Sequence, residues 1–361
     1  MTQQTSKRIL VAPLDWGLGH TTRCVPVIRA IEALGHKVIF AGTPQQQALI
    51  KNFYNDIEFV SLEGYGITYS PAEQPGKLQP LQWLPRISRA IKKEHNWLLQ
   101  NAARLQIDGI ISDNRYGLYH SGIPCVILTH QLCIQTGMGS LANRVMQKLH
   151  YKLLERFGEV WVPDIEGEWS LAGDLSQTAV RPANTTYIGW LSQFETPLPA
   201  NEQRHILVLL SGPEPQRTML ENKLLEQLSR HTGKVIFVAG KPGGEPKNVP
   251  AHIAYHEVAS GKVLLELIMN AHTVICRSGY STLMDLQLCR KPAILIPTPG
   301  QTEQEYLARH LSARKGYLGS SQAALNWPEM PEPGAIPPPA AMPESTYERH
   351  KAVVERWCRQ L

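Results

Sequence analysis

Between Leu14 and Arg23 the chain reads Asp15-Trp16-Gly17-Leu18-Gly19-His20-Thr21-Thr22, an imidazole set directly behind two glycines. Histidine is the side chain best suited to take and return a proton near neutral pH. Glycines let a backbone come close to a ligand, and a helix starting there points unpaired N–H groups at an anion. A dinucleotide site would need a third glycine where Thr22 stands and an acid after the second strand, which instead ends Ala41-Gly42-Thr43-Pro44-Gln45-Gln46. NAD binding is therefore disfavoured. The same residues also suit a tight turn in which His20 only caps its helix, and this motif alone leaves both readings open.

A second stretch is more specific. Val274-Ile275-Cys276-Arg277-Ser278-Gly279-Tyr280-Ser281-Thr282-Leu283-Met284-Asp285 reads as a strand, a hydroxyl-rich loop with a glycine, and the first turn of a helix. That arrangement sets hydroxyls and the positive end of a helix at the carboxyl edge of a sheet, where phosphates bind. Asp285, one turn further on, is placed to reach a ribose diol. The next strand is followed by Pro299-Gly300-Gln301-Thr302-Glu303-Gln304-Glu305, a polar loop at the same edge. No Walker motif is present, since Gly240-Lys241 is followed by proline, and neither H-E-x-x-H nor D-x-D occurs. No metal and no resident cofactor are expected.

The elements that must carry these loops follow from the pattern of apolar residues. Arg8 to Leu14 reads as a buried strand, Cys24 to Leu34 as a helix stopped by Gly35, and Lys37 to Ala41 as the next strand. Further strands are expected at Asp108 to Ser112, Cys125 to Thr129 and Glu159 to Val162. The composition turns proline-rich around Thr186 to Pro199, read as a linker, and the alternation then restarts with strands at His205 to Leu210, Lys234 to Ala239, Thr273 to Cys276 and Ala293 to Pro297. Such repetition predicts an α/β protein of two Rossmann-like, doubly wound domains. The expected division is an N-terminal domain over 1–190, a C-terminal domain over 200–343 and a terminal helix over 344–361 packing back on the first. The seven prolines of Pro328 to Pro343 read as an extended connector.

Composition narrows the class of partner. The 361 residues are 43% hydrophobic and 19% charged, which supplies two cores and excludes overall disorder. A net charge of +5 suits an anionic small molecule or membrane surface, yet no Lys/Arg run exceeds two residues, so no nucleic-acid partner is expected. Six scattered cysteines without a C-x-x-C pair predict a reducing compartment, and the absence of a signal peptide or apolar span predicts a cytoplasmic protein. Leu81 to Leu105 and Leu141 to Phe157 are basic and amphipathic. Arg86, Arg89, Lys92 and Lys93 lie on the first, with Trp83 and Leu84; Arg144, Lys148, Lys152 and Arg156 lie on the second, with Leu149 and Leu153. They read either as solvated surface helices or as a peripheral contact with the inner membrane face.

The stretch SGYSTLMDLQLCRKPAILIPTPGQTEQEYLARHL resembles the donor-site signature of the GT-B glycosyltransferases. It is especially similar to that of the peptidoglycan enzyme that adds GlcNAc to a lipid-linked precursor. The looser likeness of residues 8–35 and 109–164 includes PLDWGLGHTTRCVPV and VILTHQ. The resemblance implies that Ser278, Gly279, Ser281 and Thr282 bind a diphosphate, Asp285 a ribose and Gln304 the sugar. It also implies that Ser211 and Gly212 form a second phosphate loop and that Val258 faces the base. His20 would be the catalytic base and Asp113 the acid that orients it, with Gly17, Gly19, His130 and Gln131 on the acceptor side. The implied activity is transfer of a sugar from a nucleoside-diphosphate donor, UDP above others, to an acceptor hydroxyl of a glycan or lipid-linked acceptor. The transfer would be inverting, metal-independent and part of cell-envelope chemistry, and would take place between acceptor-binding and donor-binding domains. A UDP-sugar 2-epimerase and a non-catalytic sugar-nucleotide-binding subunit remain as alternatives. Asp113→Asn is expected to keep the fold and lose rate.

Overall fold

The computed structural model describes residues 6–66, 79–134, 139–195, 205–241, 243, 249–332 and 334–361. The chain divides into two compact units. The first holds the described residues up to Gln193 together with Pro343–Leu361, and the second holds those of Phe194–Met342.

The first unit is built on a seven-stranded sheet. Its strands are β1 (Arg8–Pro13), β2 (Lys37–Gly42), β3 (Glu58–Ser61), β4 (Gly109–Asp113), β5 (Cys125–Leu128), β6 (Glu159–Val162) and β7 (Thr185–Tyr187). They run in the order β3-β2-β1-β4-β5-β6-β7 and every pair is parallel. The central strands are mostly apolar because helices cover both faces, as is usual for an all-parallel sheet. Thus Ile9, Leu10, Val11, Ile110, Ile111, Val126 and Ile127 have no exposed surface. The helices are α1 (Gly19–Ala33), α2 (Pro44–Ile50), α3 (Gln79–Asn101), α4 (Ser140–Leu154) and, from the far end of the chain, α9 (Ser345–Cys358). The side chains of Trp83 and Leu84, singled out in the sequence, lie outside the described residues.

Two glycines let α9 into this unit. A Cβ on Gly109 would stand 2.7 Å from the Trp357 ring, and one on Gly189, where φ is +81°, would meet the Thr346 carbonyl at 2.2 Å. Trp190 N–H donates to that same carbonyl at 2.9 Å, and Trp357 packs edge-on against Trp161. The proline-rich turn of composition read as a linker therefore starts inside the unit: Thr186 and Tyr187 belong to β7, and Trp190 and Leu191 are buried. Pro197 and Pro199 lie outside the described residues.

The second unit repeats the plan with six parallel strands. They are β8 (His205–Leu209), β9 (Val235–Val238), β10 (Ile253–His256), β11 (Ala271–Cys276), β12 (Ala293–Leu295) and β13 (Tyr317–Gly319). The order is β10-β9-β8-β11-β12-β13. Its helices are α5 (Gln216–Leu228), α6 (Gly261–Asn270), α7 (Tyr280–Leu288) and α8 (Thr302–Ser312). Of the proline-rich connector, Met330 and Ile336 pack on this unit's core, and Gly316 is held against Pro339. Both sheets therefore reverse their strand order next to their first strand, β1 beside β4 and β8 beside β11. Ligands of such sheets bind at the carboxyl edge at that reversal. Among the described residues, no helix is long and apolar enough to cross a membrane.

Buried histidines give each unit an acid limit. Burial lowers His150 and His350 in the first unit, and His205 in the second, to about 4 from the ordinary 6.5. The unfolded chain then takes up protons from about pH 6.5 downward, while the folded chain resists until about 4, so stability is complete above 6.5 and declines towards 4. Urea midpoints recorded across this window are expected to fall with pH. Midpoints that stay level would show that these rings do not titrate on unfolding.

Candidate functional site

Register fixes which loops of the first unit meet. Pro13 on β1 lies beside Asp113 on β4, and Asp113 lies beside Leu128 on β5. The loop from Leu14 to Leu18, the end of β4 and the loop holding His130 and Gln131 therefore leave the sheet side by side. Leu14 N–H bonds to the Asp113 carbonyl at 2.9 Å, and Gly17, at φ +86°, turns the chain into α1. Nothing stands within 4 Å of where a Gly17 Cβ would be, and Gly19 opens the helix.

His20 and Asp113, 93 residues apart, meet at this edge, with His20 Nδ1 3.1 Å from Asp113 Oδ2. The carboxylate is fully buried, whereas the His20 side chain keeps 15% of its surface exposed. A third residue, which the sequence reading did not single out, completes the cluster. Arg23, one turn along α1, donates through Nε to Asp113 Oδ2 at 2.8 Å and through Nη2 to Asp113 Oδ1. The same Nη2 lies 2.9 Å from His20 Nδ1, and Nη1 lies 3.2 Å from His130 Nδ1. A guanidinium only donates, so the His130 Nδ1 it touches is an acceptor. Burial pushes the Asp113 carboxyl upward, but Arg23 and then His20 outweigh it and hold it down at about 2. Burial first, and then the Asp113 charge, keep the neighbouring Cys24 a neutral thiol. Gln131 sits at the rim, half-buried, its N–H on Thr129 Oγ1 at 3.2 Å.

A second buried pair braces the loop from below. Arg115 Nη1 bonds to Glu94 Oε1 at 2.8 Å, and Arg115 Nε and Nη1 also hold the Pro13 and Glu63 carbonyls at 2.8 and 2.9 Å. Tyr65 hydroxyl and Gly117 N–H donate to Glu94 Oε2 at 3.0 and 3.1 Å. Asp15 accepts from Tyr65 N–H at 3.0 Å, and Gln46 Nε2 holds the Leu14 carbonyl at 3.0 Å.

In the second unit the loops after β8, β11 and β12 are tied together. Ser278 is fully buried and its hydroxyl donates to the Gln304 carbonyl at 2.8 Å, so it ties the loop after β11 to the first turn of α8. The Gln304 Oε1 accepts from Thr298 N–H at 2.8 Å, which leaves its amide NH2 as the end able to donate to a ligand. Gly212, at φ +103°, turns the β8 loop past Thr298, whose Oγ1 would lie 3.6 Å from a Cβ there. Ser211 beside it is half-exposed. Ser281 and Thr282 are half-exposed at the start of α7, whose N-cap, Gly279, makes no side-chain capping bond. Gly279 has ordinary backbone angles, and what its missing side chain provides is space, with nothing within 4 Å. Asp285 differs from Ser281 and Thr282 in being buried, close to Cys289. Val258 stands exposed on the loop after β10, away from these contacts along the sheet edge.

Beneath this loop lies Arg277, which the sequence reading passed over. It is buried, and it donates to the carbonyls of Gln216, Ile296 and Pro297 and to Gln322 Oε1 at 2.8 to 3.3 Å. Its Nε has no partner among the described residues, and none of its hydrogen-bonding acceptors is charged. Burial, and then the charge of Arg217, lower it to about 9, so it is still a cation at neutral pH. Among the described residues, no three His, Cys, Asp or Glu side chains are grouped as a metal site.

Comparison with known proteins agrees with this architecture. Residues 219–332 match the Glycosyltransferase family 28 C-terminal domain. Over 336 residues the chain is 25% identical to the UDP-N-acetylglucosamine–N-acetylmuramyl-(pentapeptide) pyrophosphoryl-undecaprenol N-acetylglucosamine transferase of Nitrosococcus oceani, covering 89% of this chain and 85% of the relative. Among solved structures it is similar to the glycosyltransferase SnogD from Streptomyces nogalater, with a TM-score of 0.63 and 16% identity over 99% of this chain and 96% of that one. Acinetobacter baumannii MurG gives a TM-score of 0.50 and 15% identity over 89% and 87%.

The ion pair sets a stability cost on the expected Asp113→Asn variant: the buried Arg23 guanidinium loses its counter-charge, and breaking such a pair costs about 3–5 kcal/mol. A urea titration is expected to show that loss in Asp113→Asn; a midpoint equal to the parent's would mean the pair is not buried in solution.

Proposed function

We propose that this glycosyltransferase, with its GT-B fold and its likeness to the peptidoglycan GlcNAc transferases, moves a sugar from a UDP-sugar to an acceptor hydroxyl by one inverting displacement. The second unit takes the donor. The uncapped start of α7, the open space over Gly279 and the hydroxyls of Ser281 and Thr282 suit a diphosphate. The Arg277 cation below favours negative charge there. The amide NH2 of Gln304 serves the sugar. The name of the Nitrosococcus oceani relative specifies UDP-N-acetylglucosamine, which supports uridine as the base.

The first unit takes the acceptor. His20 Nε2 accepts the proton of the acceptor hydroxyl as its oxygen attacks the anomeric carbon; the bond from that carbon to the diphosphate breaks, and UDP departs with the electron pair. Asp113 stabilises the imidazolium so formed. The observation that carries this reading is the meeting of His20 and Asp113 at the strand reversal, where parallel sheets bind ligands. Hydroxyls, a helix end and a buried cation stand in for a metal at the diphosphate.

We also place the protein against an anionic membrane surface. On α4, Leu141 is 75% exposed and Val145 and Leu149 are each 52% exposed, in line along the helix. Arg144, Lys148 and Lys152 stand exposed beside them. An apolar line flanked by cations is the pattern of a helix that lies in a lipid interface. It suits a lipid-linked acceptor of the kind the relative's name specifies.

Three measurements test this reading. UDP at 100 times its dissociation constant is expected to stabilise the protein by about 2.7 kcal/mol. Thr282→Val should weaken that effect, and Gln304→Ala should weaken UDP-sugar more than UDP; a melting curve that no nucleoside diphosphate moves refutes the donor site. Turnover is expected to survive EDTA, and loss of turnover restored by magnesium or manganese would overturn metal independence. Sedimentation with vesicles rich in phosphatidylserine is expected for the parent and not for a Leu141→Ser, Val145→Ser, Leu149→Ser variant; parent protein that stays in the supernatant removes the membrane assignment.

A further inference from the structure

His20 Nδ1 faces two partners that make opposite demands on it. Against Asp113 Oδ2, at 3.1 Å, it must carry a proton in order to donate. Against Arg23 Nη2, at 2.9 Å, it must offer a lone pair, because a guanidinium has no acceptor. One ring nitrogen cannot satisfy both. Arg23 is itself held firmly, since its fork clamps both Asp113 oxygens and its remaining nitrogen reaches His130 Nδ1 at 3.2 Å. The clamp also spends the Asp113 charge that would otherwise draw a proton onto the ring.

We propose that Arg23 is a positioning residue that selects the tautomer of His20 and lowers its basicity. In the resting protein the ring is held with its proton on Nε2; the reactive tautomer forms when Nε2 gives that proton to solvent, to which the ring is 15% open, and Nδ1 takes one from solvent and donates it to Asp113, which leaves Nε2 as the acceptor. Arg23 thereby keeps His20 from being trapped as an imidazolium, as a lone His–Asp pair would tend to be. The proposal rests on His20 being the base, and goes beyond it in assigning the control of that base to a cation three residues away.

Two further titratable groups lie near Asp113 among the described residues. Cys24, 3.9 Å from Asp113 Oδ2, is neutral because burial and the Asp113 charge raise its thiol. The Tyr116 hydroxyl is raised by burial and then by Asp113, and is paired with His150 Nε2 at 3.1 Å, so it stays neutral too. From β4 the ring faces Asp113, from its own helix Arg23, and His130 is reached through Arg23. Arg23 and Asp113 are permanent charges that face the ring directly.

Nitrogen-15 NMR of the parent protein without substrate tests the tautomer directly: the Nε2–H form of His20 is expected near neutral pH, and a predominant Nδ1–H form overturns the proposal. In Arg23→Gln the pH midpoint of the His20 signal is expected to rise by about one unit, the usual effect of removing a neighbouring like charge, and the acid limb of the rate profile should rise with it. Arg23→Lys, which keeps a charge but not the fork, should move it less. A midpoint unmoved in folded Arg23→Gln overturns the proposal, since a merely structural arginine would change amplitude and not position. Because the ring signal is read without substrate, failure of the catalytic reading shows separately, as a rate limb that does not follow the ring.

Discussion

A carboxylate with no exposed surface sits at the end of the fourth strand, and its pairing with Arg23 is the interaction on which the first unit's site depends. A buried ion costs several kcal/mol unless it is paired and fully hydrogen-bonded. Asp113 meets that demand only when α1 is turned so that Arg23 reaches both of its oxygens. That same turn of the helix delivers His20 to the carboxylate and leaves its ring at the surface, and the spare arm of the fork reaches His130. One electrostatic requirement thus orients three side chains from a helix, a strand end and a loop. Two residues further on, Arg115 makes the complementary pair with Glu94 and ties down the segment leading into α1. The glycines at 17 and 19 could not define a site alone; these two pairs give their loop a fixed base.

The second unit solves a different problem with a related device. Arg277 is buried among carbonyls and an amide oxygen, and among the described residues none of its hydrogen-bond partners is an acid, so the charge there is met by dipoles. The dipole of α7 and the open N-terminus at Gly279 point the same way. The loops after β11 and β12 are joined to the start of α8 through Ser278, Thr298 and Gln304, so this positive patch is held in shape before any ligand arrives. An anion that entered would meet donors already in place.

Most of this architecture could be read from the residues, and the failures have physical causes. The central strands are apolar on both faces and announce themselves; β3, β7, β10 and β13 are edge or near-edge strands of three or four residues, with too little periodicity to separate from loop. His20 and Asp113, paired in the sequence by the family resemblance, meet across 93 positions because strand ends in a parallel sheet share one edge. Arg23, Arg115 and Arg277 were missed for one shared reason. A buried arginine looks in sequence like any surface arginine, and only the partner across space tells them apart. Arg23 did carry a signal, standing one turn after a candidate base and so on the same helical face. Ser278 shows the opposite limit: its place in the motif suggested a ligand, while its hydroxyl is committed to the Gln304 carbonyl.

The central claim is that His20 activates a nucleophile against a nucleotide sugar bound by the other unit, and release of UDP from UDP-N-acetylglucosamine tests it most directly, with water as the nucleophile when no acceptor is added. The parent protein should release UDP slowly. His20→Ala should bind UDP as the parent does and release none above background, since a positioned base contributes roughly 100- to 10,000-fold. Undiminished release by His20→Ala would contradict the account.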